Sequence, residues 1–315
     1  MPPTFAAPDA AAIPCHVVPE DGLDTWRDTL PQSAAAWTHQ HGFKGGLGQA
    51  VTWPGPDGAI TGAALGFGTA AHRARGRFHL AAGAARLPAG TYALTGTLPD
   101  GMEAEALGWL LSHYRFDRYK SASGTAARLV APTGVDAAGI EARAAGEALT
   151  RDLTNTPASD MGPDALEEAT RTLADAFGAS LDVTTGGDLL TQNFPLIHTV
   201  GRAADRAPRL LDLRWGNTGP TLTLVGKGVC FDTGGLNLKP GGSMGLMKKD
   251  MGGSATVLGL AHMIMALNLP LQLRVLIPAV ENSVSANAFR PQDILTARNG
   301  LTVEINNTDA EGRLV

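Results

Sequence analysis

Side chains that can bind cations are concentrated in two glycine-rich stretches of the chain. The first, residues 225–250, reads VGKGVCFDTGGLNLKPGGSMGLMKKD, and the second, residues 306–313, reads NNTDAEGR. They hold four carboxylic acids, Asp232, Asp250, Asp309 and Glu311. They also hold two lysines in glycine-rich turns, Lys227 and Lys239, and one arginine, Arg313. Carboxylates gathered in a largely buried place either have raised pKa values or surround metal cations. The pattern indicates a metal or anion site, with ordinary solvated loops as the alternative.

The residue types favour a pair of metal ions over a single one. Lys227 lies between two glycines at the end of an apolar run, and beside a divalent cation its pKa would fall, so that the neutral amine could bind the metal. One amine and four carboxylates exceed the needs of one tetrahedral zinc, whereas two ions about 3.5–4 Å apart with a shared carboxylate fit better. Such a pair would turn a bridging water into hydroxide near neutral pH. Lys239 and Arg313 would then supply positive charge for developing anions.

Other reactive side chains favour structural interpretations. Cys230 is a possible nucleophile, but no histidine lies near it in the sequence, and a small buried residue is the favoured reading. His72 and His79 stand among arginines and indicate a charged surface turn. Lys248 and Lys249 are interpreted as a solvated pair without a role.

Composition excludes several classes of protein. With 315 residues, 44% hydrophobic residues and a net charge of -5, the chain suits a globular protein of two domains and offers no basic footprint for nucleic acid. Two cysteines provide no disulfide framework, which indicates a reducing compartment. No apolar run reaches the roughly 18 residues of a membrane span, and the N-terminus lacks the pattern of a signal peptide. We therefore expect a cytoplasmic protein that does not span a membrane.

Helical and apolar patterns divide the chain into parts. Residues 1–133 mix short strands and helices and predict a small α/β domain, residues 134–155 predict a connector helix, and residues 156–315 predict a second domain. In that domain a helix begins at Pro163 and ends at Gly178. Strands are expected at 180–184, 210–215, 221–225 and 271–282, and the last three are expected to be buried. Their alternation with helices predicts an α/β sandwich with a mixed sheet and the chemical loops at strand ends.

The two glycine-rich stretches closely resemble the leucyl aminopeptidase family, the cytosol aminopeptidases or M17 metallopeptidases. NTDAEGRL at 307–314 is identical to the signature of that family. Three more stretches are similar to it: YRFDRYK at 114–120, RDLTNTPASDMGP at 151–163 and FRPQDILTARNGLTVE at 289–304. The resemblance is strong from about residue 105 to 315. It implies that the second domain is an α/β/α metallopeptidase domain.

The resemblance also implies roles for individual residues. Four residues would hold the tighter of two divalent ions, Mn²⁺ or Zn²⁺: Lys227, Asp232, Asp250 and Glu311. Three would hold the more exchangeable ion: Asp232, Asp309 and Glu311. Lys239 would polarise the scissile carbonyl group, and Arg313 would hold a bicarbonate ion that acts as general base. Met247 and Asn307 would line the substrate pocket and bind the peptide backbone.

The function implied is removal of N-terminal, leucine-like residues from peptides by a homohexamer whose active sites face an inner cavity. Two alternatives stay open: a DNA-binding accessory role of the same fold, which the charge of -5 disfavours, and a non-catalytic paralogue or fragment. The second alternative arises because the chain stops at Val315, directly after the signature, where the catalytic domain of the family continues. We therefore expect the catalytic domain to be incomplete at its C-terminus. A smaller departure is Gln292, which stands where the family pattern has glycine.

Overall fold

The computed structural model of the chain describes residues 3–96, 101–121 and 127–315. The chain divides into two compact units, Met1–Ala148 and Leu149–Val315, and the boundary falls within one long helix, Ala137–Asn155. Each unit contains its own sheet and its own hydrophobic clusters. This arrangement of a small α/β unit followed by a mixed-sheet α/β unit confirms the predicted fold class.

The first unit is built on a five-stranded, mainly parallel sheet. Its strands are β1 (Ile13–Pro19), β2 (Ala50–Pro54), β3 (Ile60–Gly68), β4 (Gly90–Thr95) and β5 (Ala127–Leu129). Their spatial order is β2-β3-β1-β4-β5, with β2 antiparallel to β3 and the other pairs parallel. Its helices are α1 (Leu23–Arg27), α2 (Gln32–Gln40), α3 (Ala70–Arg73), α4 (Ala81–Ala84) and α5 (Met102–Ser112). The long boundary helix is α6 (Ala137–Asn155).

A buried histidine in this unit corrects one expectation. His72 is exposed, as predicted, and lies 3.3 Å from Glu20 Oε1. His79 is largely buried instead: its Nδ1 lies 2.8 Å from Glu105 Oε1, and the other oxygen of Glu105 accepts the backbone N–H of Leu80 at 2.9 Å. The surface-turn prediction was therefore wrong for His79, because its partner comes from α5, which the local sequence pattern could not show.

The second unit is built on a mixed sheet. Its strands are β6 (Ser180–Thr185), β7 (Arg209–Trp215), β8 (Thr221–Val225), β9 (Gly228–Asp232) and β10 (Gln272–Asn282). They follow the order β6-β7-β10-β8, and β9 also pairs with β10. The pairs β6–β7 and β7–β10 are antiparallel, whereas β8 and β9 both run parallel to β10. A separate hairpin consists of β11 (Ile294–Thr296) and β12 (Thr302–Glu304).

Helices pack on both faces of this sheet. The helices of this unit are α7 (Pro163–Phe177), α8 (Asp188–Thr191), α9 (Pro195–Gly201), α10 (Gly241–Met244) and α11 (Gly252–Ala266). Apolar residues of α7 and α11 join one core cluster with β7 and β10, and residues of α8 and α9 join a second with β9 and β10. The helix α7 ends at Gly178, whose φ of 64° is the left-handed C-cap that the sequence predicted. Among the described residues, no helix combines the length and apolar character needed to cross a membrane.

The backbone explains the departure at Gln292. This exposed residue has a φ of 71°, in the left-handed region that glycine adopts without steric penalty, and its N–H donates to Ile305 O at 2.6 Å. Left-handed backbone costs a residue with a Cβ about 1–2 kcal/mol, and the greater freedom of glycine in the unfolded chain offsets part of that. We expect Gln292→Gly to raise the free energy of unfolding by about 0.5–1 kcal/mol and Tm by about 2–4 °C.

Thermal and urea unfolding of the two proteins measure this difference. The matched control is Asn268→Gly, at a φ of 47°, because asparagine tolerates the left-handed region and should gain little from the change. A Gln292→Gly protein no more stable than the parent chain would contradict the argument.

Candidate metal centre

The site begins where the edge of the sheet changes from β8 to β9. Residues Gly226 and Lys227 connect the two strands, which lie one after the other beside β10. A Cβ on Gly226 would lie 2.6 Å from Val257 Cγ2 and 2.7 Å from Ser254 Cα, so this close approach to α11 requires glycine. The connection thereby places Lys227 beside the N-terminal end of α11.

Lys227 lies between two carboxylates from different parts of the chain. Its Nζ is 2.8 Å from Asp250 Oδ2 and 2.8 Å from Glu311 Oε1. Asp250 belongs to the short 3₁₀ helix Met247–Met251, directly before α11. Partial burial lowers the pKa of Lys227, but the hydrogen bonds to Asp250 and Glu311 outweigh it and raise the pKa above its usual value.

A second lysine, Lys239, also lies between two carboxylates from different parts of the chain. After β9 the chain turns at Gly234, whose φ is 89°, and Lys239 N returns to Thr233 O at 2.9 Å. Lys239 Nζ then lies 3.0 Å from Asp232 Oδ2 and contacts Asp309 Oδ1. Burial opposes the charged form of Lys239, but the hydrogen bonds to the two carboxylates prevail and raise its pKa.

The two lysine groups form one cluster. Ligand oxygens of Asp232, Asp309 and Glu311 lie within 4.8 Å of one another. Glu311 is 1% exposed, and burial raises its pKa, with Asp232 adding to the effect and Lys227 opposing it. Among the described residues, Glu311 Oε2 is buried without a hydrogen-bond partner.

This arrangement fits divalent cations. The two ammonium groups offset only two of the four carboxylate charges, so an excess of two negative charges stays concentrated in a small volume. A buried carboxylate oxygen without a donor, as in Glu311, is the kind of atom that a cation satisfies. The donors are hard oxygens and one amine, which suit Mn²⁺, Zn²⁺ or Mg²⁺.

The remaining predicted site residues lie next to the cluster in sequence. Arg313 is exposed on the short 3₁₀ helix Thr308–Arg313 that also carries Asp309 and Glu311. Asn307 is exposed, and its side-chain oxygen accepts the N–H of Asp309 at 2.8 Å. Met247 is half-buried at the start of the 3₁₀ helix that carries Asp250. Within the described part of the chain, no hydrogen bond or ion pair joins these three side chains to Lys227 or Lys239.

Sequence reasoning missed three polar residues beside the cluster. They are Asn237, Asn282 and Thr308, and they hydrogen-bond to one another or to the Asp232 carboxylate. The only sequence signal was a polar residue, Asn282, that ends β10 shortly after the apolar run 275–280.

Fold and site together define a mixed α/β protein with a cluster of carboxylates and lysines at the strand ends, which is a candidate metal centre. Residues 148–315 match the catalytic domain of the cytosol aminopeptidase family, and residues 13–132 match the N-terminal domain of M17 aminopeptidases. Because the first match covers more than half of the chain, the chain belongs to the cytosol aminopeptidase family. The resemblance predicted from the sequence is confirmed.

Individual relatives agree with this assignment. A probable cytosol aminopeptidase of Syntrophotalea carbinolica is 42% identical over 225 residues, 66% of this chain and 45% of that protein. The crystal structure of cytosol aminopeptidase from Coxiella burnetii has a TM-score of 0.90 at 39% identity, over 97% of this chain and 66% of that one. The bottromycin maturation enzyme BotP in complex with Mn has a TM-score of 0.82 at 34% identity, over 97% of this chain and 67% of that one. The chain spans about half the length of the curated relatives it matches.

Proposed function

We propose that this chain carries a dinuclear-metal aminopeptidase site that releases N-terminal, leucine-like residues from peptides. The observation that carries the proposal is the convergence of four carboxylates on two lysines in a member of the cytosol aminopeptidase family. Relatives named cytosol aminopeptidase support the reaction, and the neighbour in complex with Mn supports a divalent metal.

The proposed ligands divide into two overlapping sets. One ion would be held by Lys227 with three carboxylates: Asp232, Asp250 and Glu311. The positive charge of the ion would lower the pKa of Lys227, which is raised without it, so that the neutral amine could bind. The other would be held by Asp232, Asp309 and Glu311. When bound, two divalent ions supply a hydroxide nucleophile from water near neutral pH and polarise a carbonyl group. The physiological ions would be Mn²⁺ or Zn²⁺.

The protein's own cations would act on the charge that develops during hydrolysis. Lys239 lies beside two of the proposed ligands, Asp232 and Asp309, and its ammonium group would donate hydrogen bonds to the scissile carbonyl oxygen as that oxygen becomes negative. Arg313 is exposed, and its guanidinium group would hold a bicarbonate ion, which would supply general-base chemistry when bound.

The same cluster explains a preference for free N-termini. The neutral α-amine of a substrate would bind the ion proposed for Lys227, Asp232, Asp250 and Glu311, so a blocked N-terminus would lose that interaction. Met247 would line the pocket for the substrate side chain, and Asn307 would bind the peptide backbone.

We further propose that the protein is cytoplasmic and assembles as a homohexamer.

Metal removal tests this function. We expect the chain to hydrolyse leucine p-nitroanilide after loading with Mn²⁺ or Zn²⁺, to lose that activity in a chelator, and to regain it on reloading, because the proposed nucleophile depends on the ions. N-acetyl-leucine p-nitroanilide is the control substrate and should not be cleaved.

Two results would contradict the proposal. Hydrolysis that persists in the chelator would require a metal-independent site. A folded, Mn²⁺-loaded chain that does not cleave the free-amine substrate would show that the 315 residues do not carry the activity.

A further inference from the structure

A network of buried polar groups connects the two parts of the chain that carry the carboxylates. Its members Asn282 and Thr308 are 1% and 0% exposed. Asn282 ends β10, and Thr308 begins the 3₁₀ helix that carries Asp309 and Glu311. Such a network lies in a low-dielectric environment, where satisfied hydrogen bonds fix geometry strongly.

Asn282 contributes both hydrogens of its amide. Its Nδ2 donates to Asp232 Oδ1 at 2.8 Å and to the backbone carbonyl of Thr308 at 3.0 Å. The N–H of Gly234 donates to the same Asp232 oxygen at 2.8 Å. Asp232 Oδ1 therefore has two donors, whereas Asp232 Oδ2 faces Lys239 Nζ at 3.0 Å.

Hydrogen bonds of Thr308 connect the loop after β9 to the 3₁₀ helix Thr308–Arg313. Its hydroxyl donates to Gly234 O at 2.6 Å and accepts the N–H of Asn237 at 2.8 Å. The backbone N–H of Thr308 donates to Asn237 Oδ1 at 2.8 Å. These bonds hold residues 234–237 against the residue directly before Asp309, although the partners are 71 residues apart in the sequence.

We propose that Asn282 and Thr308 are positioning residues for the metal centre: they commit Asp232 Oδ1 to hydrogen bonds, leave Asp232 Oδ2 as the ligand atom, and fix Asp309 and Glu311 at their distance from it. This inference rests on the proposed function of the cluster. Under this proposal neither Asn282 nor Thr308 contacts the substrate, and both act through the carboxylates that they orient.

The unpaired acceptor of Asn282 argues against a role in stability alone. Among the described residues, Asn282 Oδ1 is buried without a hydrogen-bond partner, so the side chain carries a desolvation penalty. Leucine has a similar branched shape and would avoid that penalty, but it has no N–H to give to Asp232 or to Thr308 O. An amide at this position is explained by its two donors, and aspartate would instead place a second carboxylate against Asp232.

The test measures Mn²⁺ binding to the metal-free chain by isothermal titration calorimetry, together with the Tm of each metal-free protein. The variants are Asn282→Leu, Thr308→Val and Thr308→Ser. We expect the first two to bind Mn²⁺ about 10- to 100-fold more weakly, as for other residues that orient metal ligands. Thr308→Ser keeps the hydroxyl and should bind like the parent chain.

The matched control is Thr170→Val on α7. Its hydroxyl is also fully buried and donates to Leu166 O at 2.8 Å, so the substitution removes a buried hydrogen bond of the same unit away from the cluster. It should lower Tm without changing Mn²⁺ affinity, which separates loss of stability from loss of ligand orientation.

The outcomes are distinct. If folded Asn282→Leu and Thr308→Val bind Mn²⁺ as tightly as the parent chain, the positioning role is wrong while the proposed function stands. If the parent chain itself binds no Mn²⁺, the proposed metal site fails and the positioning role fails with it. Should Asn282→Leu not fold, the Thr308→Val and Thr308→Ser pair decides alone, and equal affinities in that pair would overturn the inference.

Discussion

Replacing Glu311 by glutamine is expected to weaken divalent-metal binding by more than about 100-fold, beyond the usual effect of residues that only orient metal ligands. Glu311 is the proposed ligand with the deepest burial: one oxygen lies 2.8 Å from Lys227 Nζ, and the other is buried without a partner. Glutamine keeps the shape but replaces an anionic oxygen by an N–H₂ donor, which repels a cation. Hydrolysis of leucine p-nitroanilide should fall to background at the same time.

The stability of the metal-free protein should respond quite differently to this substitution. A buried carboxylate is costly to desolvate, and Lys227 keeps Asp250 as a partner, so we expect the free energy of unfolding to change by less than about 1 kcal/mol. Metal content by mass spectrometry and Mn²⁺ titration measure the binding, and urea unfolding measures the stability.

The control for Glu311→Gln is Glu167→Gln. Glu167 is also paired with cations, at 2.8 Å from Arg171 and 2.6 Å from Arg209, but these contacts lie on α7 and β7, outside the cluster. Its replacement should leave metal content unchanged. Parent-like Mn²⁺ affinity in Glu311→Gln would remove this residue from the ligand set and with it the idea of a shared carboxylate.

Local patterns were sufficient for most of the second unit's framework. The helix from Pro163 to Gly178 followed from a proline at its start, an amphipathic face and a glycine C-cap, all of which are encoded by neighbouring residues. The apolar runs at 221–225 and 271–282 gave β8 and β10 nearly within their observed bounds. The burial predicted for β8 was wrong, because β8 ends the strand order of the sheet and four of its five residues are exposed. The strands β11 and β12 were not predicted separately, since three residues provide too little periodicity. The strand β9 was not predicted either, because it lies within the glycine-rich stretch 225–250.

The residue types of the site could be predicted from the sequence, but which lysine contacts which carboxylates could not. Carboxylates beside glycines indicated metal chemistry, and the resemblance supplied the roles, which stay proposals. Nothing in the local sequence shows that Lys227 contacts Asp250 and Glu311 while Lys239 contacts Asp232 and Asp309. Asn282 escaped notice for the same reason: its two acceptors lie 50 and 26 residues away, and only the assembled sheet brings them together.

Replacing Lys239 by alanine should separate catalysis from metal binding. Lys239 is not a proposed ligand, and its loss leaves Asp232 and Asp309 with less compensating positive charge, so Mn²⁺ should bind at least as tightly as in the parent chain. Removing a donor aimed at a developing oxyanion costs about 10²–10³ in kcat. We expect a loss of that size for leucine p-nitroanilide, with little change in KM, because the interaction strengthens only as the carbonyl oxygen becomes negative. Lys249→Ala, on an exposed lysine of the 3₁₀ helix Met247–Met251, should leave both constants unchanged. A Lys239→Ala protein that retains its Mn²⁺ and turns over within a few-fold of the parent chain would assign the polarising role to another group.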